Sequence, residues 1–250
     1  MRKFKRVVLM SLVVITFFSC KEDEEPECQT EPAKLSVTVQ PVFGNETLYL
    51  DSVYSTVEGY DVKFIDLKFY MGNPRNGSAI LTDAGLFDYR ERGTLLMEGE
   101  GSYLDYSSMN ANLGIHSSIN HNDPAAFDNA SMLNIANSND MHWGWNPGYI
   151  FVKVEAKVDT IADGNPLFDH NVVFHIGKDE NFQTLTFSNV NWSDQGSHHE
   201  LPLKLDMETF LQNSAETIDL KDEFTSHTAA GQEVLSMKVM MNFKAALTTY

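Results

Sequence analysis

The chain has 250 residues, 42% of them hydrophobic, which is enough to bury a sizeable core in one or two domains. It carries 18 basic against 35 acidic side chains, and a net charge of −17 makes nucleic acid a poor partner because like charges repel. The two cysteines, Cys20 and Cys28, both lie near the N-terminus, which excludes a disulfide-stapled fold and a thiolate metal cage.

The N-terminus has the pattern of an export signal. Four basic side chains within residues 1–6 precede an apolar run at 7–18 that is too short to span a bilayer as a mature helix. Ser19 and Cys20 follow, as at the cleavage site of bacterial lipoproteins. We interpret 1–19 as a lipoprotein signal peptide and Cys20 as the lipidated residue. The alternative is an ordinary secretory signal with a coincidental cysteine.

The segment after Cys20 is strongly acidic. Residues 20–34 include the run KEDEEP, which cannot bury surface and is therefore expected to be a disordered tether. Because the mature chain is even more acidic than the precursor, attachment to a membrane has to come from acyl chains on Cys20. We expect an outer-membrane lipoprotein of the cell envelope, on either the periplasmic or the exposed side, with a folded domain at 35–250.

The first predicted strands are short and rich in apolar residues. Apolar and polar side chains alternate at 35–39, as in a half-buried strand. Segment 62–70 contains many β-branched and aromatic residues and is expected to place Ile65, Leu67 and Phe69 on one face.

Turn signals and further alternating segments complete the pattern. Asn76-Gly77 predicts a hairpin turn, and 149–158 alternates apolar residues with charged ones such as Lys153 and Glu155. The remaining predicted elements are strands at 172–176, 185–190, 201–205 and 235–243 and one short helix at 206–212. Short strands without a βαβ rhythm predict an all-β domain, an antiparallel β-sandwich.

One stretch departs from the strand pattern. Residues 117–146 are rich in Asn, Ser, Asp and Met and predict a long irregular loop. Long irregular segments inside compact domains often carry function, so we expect the functional site here.

Histidines are the most informative polar residues, because the standard catalytic and nucleotide-binding motifs are missing. All eight lie beyond residue 115: His116, His121, His142, His170, His175, His198, His199 and His227. Neutral imidazole suits soft and borderline metals, although a single histidine is more often a structural or surface residue than a ligand. His198 and His199 would lie on opposite faces of a strand and cannot readily chelate together.

The most unusual local string is MHWGWNPGY at 141–149. In an extended segment Trp143 and Trp145 lie on one face and His142 on the other. A hydrophobic plug that closes one end of a sandwich is the simplest interpretation of this spacing.

Four strings together resemble the MbnP-like family of copper-binding proteins. Residues 67–71 are similar to the family's strand LkfYvS, and 114–125 to its loop GVPxxLNHxDPA. Residues 141–149 resemble MFWSWQxGYkF, and 174–177 match FHLG. The order and spacing agree over most of the mature chain. The string at 141–149 departs at His142, where the family has an aromatic residue.

The resemblance implies a β-sandwich that binds Cu(I) through two histidines, here His121 of the loop and His175 of the FHIG string. It also implies that a tryptophan near the metal, Trp143 or Trp145, can be oxidised to kynurenine by a haem-containing enzyme. Neutral imidazoles are suitable donors for copper.

Other side chains near these strings are candidates for a supporting role. Met141 and His142 are candidate accessory ligands, and Met132 would add another soft thioether. A metal-bound histidine needs an acceptor that fixes its ring, and Asp123 and Asn120 are the candidates nearest His121 in sequence.

The resulting hypothesis is a lipid-anchored, non-enzymatic protein that captures or buffers Cu(I) outside the cytoplasm. The first alternative is a metal-free surface or periplasmic interaction module on the same scaffold. An enzyme ranks last, because no nucleophile–base pair is recognisable in the sequence.

Overall fold

In a computed structural model of the chain, the described residues are 32–250 without 145, 146, 162, 166 and 169. The predicted signal peptide, Cys20, most of the tether and Trp145 lie outside the described residues. Fifteen strands fall within them: β1 (Lys34–Phe43), β2 (Glu46–Thr47), β3 (Tyr54–Ser55), β4 (Asp61–Asn76), β5 (Ala79–Ile80), β6 (Ala84–Asp88), β7 (Leu95–Glu100), β8 (Met109–Leu113), β9 (Ile150–Asp159), β10 (His170–Gly177), β11 (Gln183–Phe187), β12 (Ser193–Asp194), β13 (His198–Asp206), β14 (Thr225–Ser226) and β15 (Leu247–Thr249). The described α-helices are α1 (Tyr89–Arg92), α2 (Ser117–Asn120), α3 (Met207–Leu211) and α4 (Glu233–Ala246).

The strands form two sheets, and the predicted all-β sandwich is confirmed. The first sheet has the order β12-β13-β1-β2, with β15 paired to β13 and β7 to β1. The second has the order β11-β8-β4-β9-β10-β14, with β3, β5 and β6 paired to β4. Most pairs are antiparallel, as expected, but β1 pairs with β13 and β10 pairs with β14 in parallel. No helix of the described ranges is long and apolar enough to cross a bilayer.

Alternation identified most of the strands correctly. Leu35, Val37 and Val39 of β1 are fully buried, as the pattern predicts. The hairpin signal is also correct, because Asn76 pairs with Ala79 across the turn that joins β4 to β5. The predicted short helix corresponds to α3, whose first turn is capped by the side chain of Asp206.

The predicted apolar face of β4 is wrong at Ile65. A bulge between Phe64 and Asp66 shifts the register against β9, so that Phe64, Leu67 and Phe69 face the core while Ile65 is only half-buried. An extra residue in one strand moves all side chains before it to the opposite face of the sheet. The alternating pattern of β4 alone does not reveal the bulge.

The strand predicted at 235–243 is also wrong, because this segment lies within helix α4. Apolar residues at every second position suggested a strand, yet the buried positions follow the helical period: Ser236, Val239, Met240, Asn242, Phe243 and Ala246. The Phe243 ring contacts the rings of Phe69 and Phe210 at centroid distances of 5.3 and 5.9 Å. Packing against these two aromatic rings favours the helical spacing over the alternating one.

Candidate metal centre

The predicted irregular loop lies across the outer face of the second sheet. The Tyr70 hydroxyl of β4 donates to the carbonyl of Met132 at 3.0 Å, and the Lys68 ammonium donates to the carbonyl of Asn139 at 3.2 Å. The Tyr149 hydroxyl donates to the carbonyl of Leu133. The loop thus covers the polar face of β4 and β9, and side chains that alternation predicts to be exposed are shielded from water.

A row of alternating charges runs across this covered face towards β10. The distances between charged atoms are 3.1 Å for Lys68–Asp88, 3.7 Å for Lys68–Asp66, 3.0 Å for Lys153–Asp66 and 3.4 Å for Lys153–Glu155. Asp88 is fully buried, and both lysines are nearly so. Each lysine lies between two carboxylates, which compensates for the loss of hydration. The row ends at His175.

His175 is oriented by a carboxylate. Its Nε2 lies 2.7 Å from Oε1 of Glu155, and because a carboxylate can only accept, Nε2 carries the hydrogen in the neutral ring. Burial lowers the pKa of His175 despite the opposing effect of Glu155. Burial alone would raise the pKa of Glu155, but the hydrogen bond from His175 and the charge of Lys153 hold it below its usual value. The neutral His175 ring therefore keeps the lone pair of Nδ1 for another partner.

His121 has an equivalent arrangement at the end of helix α2. Its Nε2 donates to Oδ2 of Asp179 at 3.0 Å, and the Asn120 amide donates to Oδ1 of the same carboxylate at 2.9 Å. The acceptor for His121 is thus Asp179 and not Asp123, which instead accepts from the backbone N–H of Ala125. Nearness in sequence pointed to the wrong carboxylate, whereas Asn120 does take part, by orienting Asp179.

Trp143 packs against the segment that joins His175 to Asp179. Its six-membered ring fills the space beside Gly177, where a Cβ atom would come within 2.7 Å of the ring. Because of this contact, any side chain at position 177 would displace the indole. Gly177 stands midway in sequence between His175 and Asp179. Trp143 also lines a cleft of about 360 Å³ together with the loop at 123–125. Three of the four strings singled out in the sequence, 114–125, 141–149 and 174–177, therefore meet at one place.

The family model described as MbnP matches residues 32–234 of the chain. The chain belongs to the MbnP family. Among solved structures, MbnP from Methylosinus trichosporium matches with 14% sequence identity and a TM-score of 0.47, covering 75% of this chain and 79% of that one. No curated protein matches.

Two of the other candidate donors of this MbnP-family chain are already engaged. Met141 is fully buried in the hydrophobic core. The sulfur of Met132 accepts a hydrogen bond from the Arg92 guanidinium at 2.9 Å. Neither thioether is therefore oriented as a free donor in this arrangement.

His142 packs as an aromatic ring. It contacts Tyr149 edge to face at 4.7 Å, and its Nδ1 accepts from the backbone N–H of Gly144 at 3.0 Å. The hydrogen of the neutral ring is then on Nε2, which is buried and has no hydrogen-bond partner among the described residues. Ligation through Nε2 would require the hydrogen to move to Nδ1 and the bond from Gly144 to break.

This environment predicts a pH effect on stability. Burial lowers the pKa of His142, so the unfolded chain takes up a proton at a higher pH than the folded one. The resulting stability is complete above the ordinary histidine range, about pH 6.5, and is lost as pH falls through the lower folded-state pKa. His142→Phe keeps the ring contact and should reduce the loss of unfolding free energy as the pH falls below about 6.5, measured by urea unfolding with a chelator present. An unchanged slope would contradict this expectation.

The residues present fit copper in their donor chemistry. His121 and His175 both direct Nε2 to a carboxylate, an arrangement that fixes a histidine ring and makes its other nitrogen more basic. No group of three His, Cys, Asp or Glu side chains is arranged to hold a metal within the described ranges. Two neutral imidazoles are, however, a sufficient donor set for d¹⁰ Cu(I).

His199 is unsuitable as a surface control for the other histidines. It is only 6% exposed, and its ring packs on Tyr103 at a centroid distance of 4.2 Å. The side chain of His198, on the same strand β13, is partly exposed and bonds to the Ser36 hydroxyl at 2.8 Å. Because β13 belongs to the first sheet, His198 is the better control.

Proposed function

We propose that this protein is an exported, lipid-anchored copper-binding protein that captures or buffers Cu(I) through His121 and His175 and catalyses no reaction. The observation that carries the proposal is that both imidazoles bind a carboxylate through Nε2, which leaves Nδ1 as the lone-pair nitrogen. Membership of the MbnP family supports a copper-related role. Copper would be the cargo of the site, held by neutral imidazoles outside the reducing cytoplasm.

The neighbouring side chains have distinct roles in this proposal. Asp179 and Glu155 hold the two rings and increase their basicity, and Asn120 fixes Asp179 in turn. The Trp143 ring, packed beside Gly177, excludes water from the segment between the two pairs. Trp143 and Trp145 are the candidates for oxidation by a haem-containing partner enzyme.

A metal-free interaction module is the second candidate. It is favoured by the completeness of the two His–carboxylate pairs without any metal and by the lack of a preformed three-ligand group among the described residues. In this alternative, His121 and His175 only connect the loop and the sheet edge to neighbouring carboxylates.

A competition titration distinguishes the two candidates. Purified protein stripped of metal is titrated with Cu(I) in the presence of a chromogenic Cu(I) chelator. The copper proposal requires that the protein withdraw one equivalent of copper from the chelator. If the chelator keeps all of its copper, the interaction module is the remaining candidate.

The proposed anchor gives a separate prediction. Cys20→Ala should abolish lipidation, leave the precursor uncleaved and move the protein from the detergent phase to the aqueous phase, because acyl chains are the proposed attachment. Phase partitioning and fatty-acid labelling measure this directly, with Cys28→Ala as the matched control. Fatty-acid label that persisted in Cys20→Ala would rule out this anchor.

A further inference from the structure

A groove crosses the outer face of the second sheet at the end of β4. Its wider part is a cleft of about 600 Å³, within the roughly 300–1,000 Å³ that is usual for sites of small organic ligands. A second cleft of about 270 Å³ adjoins it along β8 and β11. The two clefts share four lining residues: Asn73, Arg75, Asn112 and Thr184. Of the described residues that line them, none belongs to the two His–carboxylate pairs of the candidate metal centre.

The groove forms where β4 departs from regular pairing. The register of β4 against β8 shifts between Gly72 and Arg75, where β4 has one extra residue. Within this bulge, Asn73 has φ of 48° and donates its backbone N–H at 2.7 Å to the carbonyl of Asp83, which directly precedes β6. Bulges are frequent next to functional sites, where they redirect side chains.

Part of the wider cleft is apolar. Its lining includes five apolar side chains, of which Ile115 and Leu133 are buried and Ile119, Phe127 and Phe182 are partly buried. Phe127 and Leu133 belong to the irregular loop, which thus supplies one wall of the cleft. Aromatic rings offer a large contact area to the apolar face of a ligand.

The strands contribute an uncharged polar surface. Asn112 pairs with Thr184 and Asn110 pairs with Thr186 across β8 and β11, and along both strands these positions alternate with buried ones. Among the described residues, the one side-chain hydrogen bond within this set of four runs from the Thr186 hydroxyl to Oδ1 of Asn110, at 3.0 Å. The Asn112 amide and the Thr184 hydroxyl, each able both to donate and to accept, therefore remain for a ligand.

The charges around the groove favour a neutral ligand. Arg75 and Asp83 are both exposed and have opposite charges, so together they contribute no net charge to the cleft that they line. The whole chain has a net charge of −17, which repels anions. A ligand that matches the groove therefore has hydroxyl groups, apolar C–H faces and no net charge.

We infer that this groove binds an uncharged oligosaccharide. Each sugar hydroxyl both donates and accepts hydrogen bonds, as do the amide and hydroxyl side chains of β8 and β11. The C–H face of a sugar ring would pack against Phe127 or Phe182 in the wider cleft. The adjoining second cleft extends the groove for a ligand of more than one ring. This binding function is additional to the proposed copper binding and does not depend on it.

Isothermal titration of the full-length protein with a panel of sugars tests this inference. The panel contains short uncharged oligosaccharides of glucose, mannose, galactose, xylose and N-acetylglucosamine, with oligogalacturonate and free phenylalanine as charged comparisons. At least one uncharged member should bind. Its affinity should stay the same when the salt concentration rises from about 0.1 to 1 M, because a neutral ligand forms no ion pair that salt would screen.

Variants of the groove locate the bound sugar. Thr184→Val removes only the hydroxyl and should weaken binding about 3–10-fold, and Asn112→Ala removes a donor and an acceptor and should weaken it at least about 10-fold. Thr248→Val, at an exposed position of β15 in the first sheet, is the matched control and should bind as the parent does. His121→Ala should also bind as the parent does, since it lies outside the groove.

Three outcomes would overturn the inference: binding of none of the uncharged sugars, binding of the charged comparisons alone, or parent affinity in both groove variants. Thr184→Val keeps the β-branched shape that strands favour, and circular dichroism verifies that both variants fold. Sugar binding by a parent protein that takes up no copper would leave this inference standing and remove only the copper proposal.

Discussion

Replacing His175 with alanine is expected to weaken Cu(I) binding by more than about 100-fold, and His121→Ala by a similar factor. Removing a residue that only orients a ligand typically costs about 10–100-fold, and removing one of two ligands should cost more. Glu155→Gln tests the lesser effect, because it retains a side chain of the same size but weakens the acceptor for His175 Nε2. The Cu(I) affinity of Glu155→Gln should be about 10–100-fold weaker than that of the parent.

Competition titration with a Cu(I) chelator measures these affinities, with His198→Ala as the control. His198 lies on β13 of the first sheet, where its side chain bonds to Ser36. The Cu(I) affinity of His198→Ala should therefore equal that of the parent. Equal affinities for His121→Ala, His175→Ala and His198→Ala would contradict the two-histidine site. Copper and protons compete for imidazole lone pairs, so the affinity of the parent should also fall as the solution is acidified.

Asp88→Ala is expected to lower the free energy of unfolding by about 3–5 kcal/mol, a large share of the stability of an ordinary domain. Asp88 is fully buried and accepts from the Lys68 ammonium at 3.1 Å and from the Asn139 amide at 3.1 Å. Its side chain also caps helix α1 by accepting from the backbone N–H of Glu91. Without Asp88, the Lys68 ammonium would remain buried with the carbonyl of Asn139 at 3.2 Å and a single, more distant carboxylate, that of Asp66, at 3.7 Å.

Urea unfolding measures this loss, and two further variants make the cause identifiable. Glu216→Ala removes a partner of Lys238 from an ion pair in which the Glu216 side chain is 54% exposed, and it should change stability by less than about 1 kcal/mol. The double variant Asp88→Ala/Lys68→Met should be more stable than Asp88→Ala alone, since the stranded charge is gone. A double variant no more stable than the single one would show that the buried ammonium is not the cause.

Much of the fold follows from local sequence patterns, because strands and turns of this chain are specified by residues a few positions apart. Alternation identified β1 and β9, and Asn76-Gly77 identified the hairpin after β4. The long irregular segment was also visible, because few of its residues fit either periodicity. The bulge at Ile65 and the helical state of α4 were not predictable in this way, since pairing with β9 decides the first and packing against Phe69 and Phe210 decides the second.

The candidate centre was determined by the sequence only in part. The strings around His121, Trp143 and His175 predicted membership of the MbnP family, which the family match confirms. They also belong to segments that meet in the structure. The partners of the two histidines, Asp179 and Glu155, were missed, although Glu155 was correctly placed on the charged face of its strand.

The position of His227 beside His175 and the burial of the row of charges depend on tertiary structure alone. His227 reaches His175 through the parallel register of β14 with β10. Lys68 is shielded by a loop remote from it in sequence, whose Asn139 carbonyl accepts from the Lys68 ammonium. Side-chain spacing within one strand determines which face a residue occupies. The register between strands determines which residues on that face touch, and no local pattern in this chain specifies it.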